Sequence, residues 1–194
     1  MRRLFASLGC LSLALLLVAC GGNDQDQTSS SSSTTPGPIT GKVRDVKPES
    51  APDLTLKTMD GRLINLHEQK GRVLLVNFWA TWCAPCRKEI PDLKTLHSNL
   101  KPKGLRVIGV ALDQKGREVV KPFARELEIN YPIVIDSAGT AEAAFGPIPG
   151  LPTTIVVTPE GQITKRVIGV FPTEKMKPTL QKMLDAGGSA SGTT

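Results

Sequence analysis

Cys83 and Cys86, two residues apart in Trp82-Cys83-Ala84-Pro85-Cys86, are the side chains of this sequence best suited to chemistry. A thiolate is the species that attacks a disulfide or binds a soft metal, so the surroundings of the pair decide its use. Upstream, Val73 to Trp79 is apolar enough for a strand buried on both faces. Downstream, Arg87 to Leu93 opens a helical pattern. A dithiol at a strand-to-helix junction meets the first unpaired helical N–H groups and the positive end of the helix dipole, and both favour the thiolate. Spacing and context together point to thiol–disulfide exchange. The alternatives are a structural disulfide or half of a zinc site. Zinc takes four ligands, commonly from a second Cys/His pair at short spacing, and the two histidines, His67 and His97, stand alone. Neither a metal nor a cofactor is expected.

The other two cysteines sit in a leader. Arg2 and Arg3 precede a mostly apolar run from Leu4 to Val18, too short to span a bilayer and of the kind that directs export. Leu17-Val18-Ala19-Cys20-Gly21 resembles the bacterial lipobox, whose cysteine is lipidated and whose preceding residues are removed. An ordinary cleaved signal, with Cys20 incidental, is the alternative. On the lipobox reading Cys10 leaves with residues 1–19 and Cys20 carries lipid, so one dithiol remains in the exported domain. Export places the chain in an oxidising setting, the periplasm or the cell exterior. A disulfide across so short a loop removes little chain entropy, so a working couple suits the pair better than a staple.

Length and charge narrow the classes. About 175 residues follow Cys20, enough for one domain. The net charge of +6 falls to +4 without Arg2 and Arg3, and no basic stripe with interleaved aromatics suggests nucleic acid. Gly21 to Pro38 contains no aliphatic residue and includes an unbroken serine run from Ser29 to Ser33, so it reads as a flexible tether. The expected organisation is a signal over 1–19, lipidated Cys20 with a linker over 20–42, a folded domain over 43–187 and a disordered tail over 188–194.

Within the domain, Leu54 to Leu56 and Leu63 to Leu66 alternate across Asp60-Gly61, an antiparallel hairpin signal. Val73 to Trp79 is the central strand. Ala84 to Leu100 is a helix with Ile90, Leu93, Leu96, His97 and Leu100 on one face, kinked at Pro91. Leu105 to Ala111 is a second buried strand. A helix follows over Glu118 to Leu127 with Pro122 near its start, then a short strand over Ile133 to Ile135 and a short helix over Ala141 to Phe145. Thr153 to Thr158 and Thr164 to Ile168 form another hairpin, and Thr173 caps a last helix ending near Asp185. This order predicts an α/β fold, a mixed central sheet with helices on both faces.

Asn77-Phe78-Trp79-Ala80-Thr81-Trp82-Cys83-Ala84-Pro85-Cys86, with Gly150-Leu151-Pro152-Thr153-Thr154 downstream, resembles the thioredoxin superfamily. The added strand and helix between Ala111 and Thr153 resemble its TlpA/ResA-type branch of membrane-anchored, periplasm-facing reductases. The likeness covers roughly residues 50 to 186. It implies that Cys83 attacks and that Cys86, one turn in and less accessible, resolves the mixed disulfide. Pro85 shapes the first turn, where a missing N–H is tolerated. Pro152 is implied to be cis and to lie against the dithiol, although X–Pro bonds in general are cis only about 5–6% of the time. The backbone just before it, at Leu151, is implied to pair with substrate.

Two positions depart from thioredoxin itself. Asn77 stands where thioredoxins carry a buried aspartate, and an amide cannot relay a proton. Glu89 lies one helical turn beyond Cys86, where its carboxylate can reach that thiol, and ResA-like members use a glutamate there. The alternative for Glu89 is a solvated position beside Arg87 and Lys88. Trp79 and Trp82 are expected to pack around the site, with Trp82 lining the substrate groove. No histidine separates the cysteines to favour the reduced form, so a reducing couple is expected.

The resemblance then implies a lipid-anchored reductant of exported cysteine pairs, with apocytochrome c as the usual client. A membrane protein of the CcdA or DsbD kind would recharge it. Reduction of a copper-site protein of cytochrome oxidase, with or without copper on Cys83 and Cys86, is a second reading within the class. A redox-inert copper carrier is a reading from another class. A peroxidase of the peroxiredoxin type is disfavoured, because its nucleophile lies in a motif not found here.

Overall fold

A computed structural model describes residues 40–190, with side chains placed to residue 187. The expectations for the signal segment, lipidated Cys20, the tether before residue 40 and the tail after residue 190 lie outside the described residues.

The central sheet grows from the most apolar run of the chain. β4 (Val73–Trp79) is buried at every position because both of its faces are covered. It pairs in parallel with β5 (Leu105–Ala111), which pairs in parallel with β6 (Ile133–Ile135). On its other side β4 runs antiparallel to β7 (Thr153–Val157), followed by β8 (Gln162–Ile168) and the edge strand β1 (Lys42–Ser50). A separate hairpin joins β2 (Thr55–Lys57) to β3 (Leu63–Asn65) through the expected Asp60-Gly61 turn. It docks on β6, with Met59 N–H donating to the Ile133 carbonyl at 2.6 Å.

Alternation along β4 assigns the two faces. Val73 and Leu75 pack against Leu93 and Leu96 of α1 (Ala84–Leu100) and against Met176, Leu180 and Leu184 of α4 (Thr173–Ala190). Toward the dithiol end, Trp79 meets Val120 and Phe123 of α2 (Arg117–Glu126). Leu74, Val76 and Phe78 point to the opposite face, where the hairpin and α3 (Thr140–Phe145) cover them. The mixed sheet with helices on both faces is the expected architecture.

Some elements differ from the expectation. β1 was not foreseen: Lys-Val-Arg-Asp-Val-Lys-Pro-Glu-Ser lacks strand-like alternation and is mostly exposed. It forms because β8 offers an edge, and its register with β8 shifts between Asp45 and Glu49, where Pro48 has no N–H to donate. Pro122 lies well inside α2 rather than near its start. Burial of Val120, Phe123 and Ala124 holds that helix despite the lost backbone bond. Thr173 is the first residue of α4, and its hydroxyl donates to the Phe171 carbonyl at 3.4 Å instead of accepting from the helix. α4 also continues past Asp185 to Ala190, into the segment expected as tail. A Cβ at Gly187 would stand 2.7 Å from Pro159 Cγ, so glycine there lets the helix run on against that proline.

Candidate active site

β4 ends at Trp79, and the chain turns through Ala80 to Trp82 before α1 begins. That turn is fastened from below by Asp113, just past β5 and 3% exposed. Its carboxylate accepts from Thr81 N–H at 3.1 and 3.2 Å and from the Thr81 hydroxyl at 2.6 Å. Cys83 N–H donates to the Ala80 carbonyl at 3.1 Å. Nothing in the sequence singled out Asp113, because its partner lies 32 positions away and no motif links them.

Cys83 is the N-cap residue of α1, and Pro85 stands in the first turn where its missing N–H leaves no gap. Cys86 N–H points at Cys83 Sγ at 3.2 Å. The two sulfurs are joined as a disulfide, with Cα atoms 5.3 Å apart. Cys83 retains 4% exposure and Cys86 none, the expected order of access. Both belong to a cluster with Trp79, Ile90, Ala111, Val120 and Phe123, and Leu151 packs on its margin. The Leu151–Pro152 bond is cis, as the resemblance implied, and leads directly into β7. Trp79 is fully buried as expected, whereas Trp82 does not pack around the site: it is 72% exposed beside Cys83.

Glu89 is not a solvated residue. One turn past Cys86 it lies 1% exposed, facing the sheet, while Arg87 and Lys88 point outward. Its Oε1 accepts from Asn77 Nδ2 at 2.7 Å, and its Oε2 accepts from Phe171 N–H at 2.8 Å. Asn77 Nδ2 also donates to Thr154 Oγ1 at 3.0 Å, tying β4, β7 and α1 through one amide. Burial pushes the Glu89 carboxyl up to about 7. The Phe171 and Asn77 donors pull against that rise, and the Asp92 charge adds to it. Asn77, read from the sequence as unable to relay a proton, thus holds the buried Glu89 carboxylate by a hydrogen bond. Thr154 and the Phe171 backbone were not foreseen, since a main-chain donor carries no side-chain signal.

The geometry defines a class: a dithiol at a helix start, a cis proline at the neighbouring strand and a buried titratable carboxyl one helical turn past the inner cysteine, all on a thioredoxin-like fold. The chain belongs to the AhpC/TSA family, which matches residues 48–166. It is similar to the thiol–disulfide oxidoreductase ResA of Bacillus subtilis, 31% identical over 77% of this chain and 82% of that protein. It is likewise similar to the thioredoxin-like protein YneN of Bacillus subtilis, 34% identical over 68% of this chain and 77% of the other. Among solved structures, a thiol:disulfide interchange protein of Chlorobium tepidum superposes with a TM-score of 0.64 at 29% identity, over 73% of this chain and 99% of that one. The protein is a thiol–disulfide oxidoreductase with cysteine-containing protein substrates. Among the described residues no cluster of His, Cys, Asp or Glu is placed to hold a metal ion.

Proposed function

We propose that the protein is a lipid-anchored, periplasm-facing reductant of exported cysteine pairs, with apocytochrome c as its leading client. In this reading Cys83 attacks the client disulfide as a thiolate, forming a mixed disulfide and releasing one client thiolate. Glu89 accepts the Cys86 proton, and the Cys86 thiolate then attacks Cys83 Sγ. The client leaves with two more electrons, and the enzyme is left in the Cys83–Cys86 disulfide form. Trp82, exposed next to Cys83, supplies the client-binding surface together with Leu151 and Pro152, with Pro85 shaping the turn. A membrane donor of the CcdA/DsbD kind returns the dithiol to its reduced state.

One observation carries the assignment of Glu89: a carboxyl sealed from solvent one turn below Cys86, with a pKa of about 7. A group poised there can take and return a proton at neutral pH. The reducing direction is supported by Ala84-Pro85, which gives the Cys83 thiolate no stabilising side chain. Support for the anchor comes from the leader sequence alone. Among the described residues no helix is long and apolar enough to cross a membrane.

The test is trapping. Cys86→Ser leaves Cys83 able to attack but removes the resolving thiol, so mixed disulfides accumulate with true clients. Mass spectrometry of the adducts is expected to find c-type apocytochromes. Deletion of the gene should then lose those cytochromes, and added small-molecule thiol should partly restore them. Adducts confined to a dedicated oxidant, with rescue by added disulfide, would reverse the direction of electron flow.

A further inference from the structure

A cavity of about 420 Å³ opens between the β2–β3 turn, the end of α1, the start of β5 and the end of α2. Arg62, Lys101, Arg106 and Arg125 line it, with the carboxylates of Asp60 and Glu128. The acids are engaged: Asp60 pairs with Arg62 at 2.7 Å, and Glu128 faces Lys94 at 3.9 Å. Lys101, Arg106 and Arg125 form no ion pair among the described residues. Arg106 is the most telling of the three because it is half-buried. A guanidinium removed from water without a carboxylate is costly, and here two further cations face it. Burial, then the charges of Arg72 and Arg62, lower its pKa. His97, on the cavity wall, feels the same field: after burial, Lys101 and Arg106 hold it down to about 4, so it is neutral at pH 7. Arg62, Lys101 and Arg106 therefore act on one another across this cavity.

The fold supplies no anion to balance them, so an outside one fits. Guanidinium and ammonium groups together bind phosphate through charge-assisted hydrogen bonds. The rest of the wall is partly apolar, with Met59 and Ile129 half-buried there and packed on the core. A cationic end beside an apolar wall suits an anion that carries carbon, and the volume is that of a small-molecule site. We propose that this cavity binds a phosphate ester, its phosphoryl group held by Arg106 and Lys101 and its carbon portion lying on Met59 and Ile129. The ester is either a soluble one or the headgroup of an anionic phospholipid. The site stands apart from the redox chemistry. Arg106 pairs with Leu74 near the start of β4, five residues before Trp79, which is roughly 16 Å along the strand from the dithiol end.

The test uses the full chain with Cys20→Ala, so that no acyl chain adds to vesicle binding. Glycerol 3-phosphate is titrated in at constant ionic strength while NMR follows the ring signals of the two histidines. Those of His97 should shift and saturate, and those of His67, outside the cavity, should stay in place. Arg106→Gln should weaken the binding about tenfold or more. Lys115→Gln, the same charge loss at an exposed position outside the cavity, should leave it unchanged. Because Arg106→Gln also relieves the repulsion with Arg62 and Arg72, it should unfold in denaturant no more easily than wild type. Sedimentation with vesicles of phosphatidylglycerol, against phosphatidylcholine alone, tells the sources apart. Binding to phosphatidylglycerol that Arg106→Gln loses and Lys115→Gln keeps identifies the lipid headgroup; binding of glycerol 3-phosphate alone identifies a soluble ester. Failure of both probes to bind overturns the inference, as does binding that the two variants weaken equally. Should Arg106→Gln not fold, Lys101→Gln, exposed at the end of α1, takes its place with the same expected outcomes.

Discussion

At the scale of single residues the proposed chemistry turns on Glu89 and the order of the two thiols. Burial raises the Glu89 carboxyl from 4.5 to about 7, so between those values the native state keeps a proton that the unfolded chain has released. The stability that neutral Glu89 contributes is full below pH 4.5 and lost as pH rises through 7, a swing of about 3 kcal/mol. His97 acts oppositely. Burial, with Lys101 and Arg106 nearby, lowers it from 6.5 to about 4, so its contribution is present above pH 6.5 and lost on acidification. Comparison of wild type with Glu89→Gln isolates the first effect. In the oxidised protein, where neither Cys83 nor Cys86 titrates, denaturant unfolding should show wild type losing about 2–3 kcal/mol relative to the variant between pH 5 and 8. A difference that stays flat across that range would place Glu89 in contact with water. For the thiols, the helix start and the remaining exposure both favour Cys83. Limiting alkylation of the reduced protein near neutral pH, followed by peptide mass spectrometry, should label Cys83 at least about tenfold faster than Cys86. Preferential labelling of Cys86 would exchange their roles.

At the scale of elements, the Trp79 and Tyr131 rings close over β5 only because position 109 has no side chain. Gly109→Ala places a methyl 2.8 Å from Trp79 Nε1 and 3.1 Å from the Tyr131 ring, both fully packed against neighbours. Overpacking of this kind should destabilise the protein by about 1–3 kcal/mol in denaturant unfolding. Wild-type stability in Gly109→Ala would mean that the two rings can shift without loss. β1 presents the contrasting case. It adds a mostly exposed strand to β8, with Val43 and Val46 packed on the core, and covers a sheet edge that would otherwise be open to other chains.

For the whole molecule, the proposed lipid anchor at Cys20 is the feature to test. If Cys20 is lipidated, wild type fractionates with membranes while exported Cys20→Ala is recovered in the soluble envelope fraction. Cys20→Ala that stays as membrane-bound as wild type would remove the lipid anchor from the proposal. The folded domain that follows was largely legible in the sequence, from local signals. The apolar run Val73 to Trp79, the 3.6-residue periodicity from Ala84 to Leu100 and the Asp-Gly turn each state their own structure over a few residues, and each was found where expected. The Cys-X-X-Cys spacing likewise identified the reacting atoms, because two thiols in one helical turn need no distant partner to meet. What tertiary structure alone decided depends on residues far apart in the chain. Nothing local distinguishes a buried Glu89 from a solvated one beside Arg87 and Lys88. Burial by distant parts of the chain raises its carboxyl to about 7, while Asn77, 12 positions before it, and Phe171, 82 positions after it, hold it by hydrogen bonds that oppose the rise. Asp113 under the active-site turn, β1 on the edge of β8 and the rings over Gly109 are of the same kind. Each is defined by a pairing across the sheet, and such pairings exist only once packing has brought the partners together.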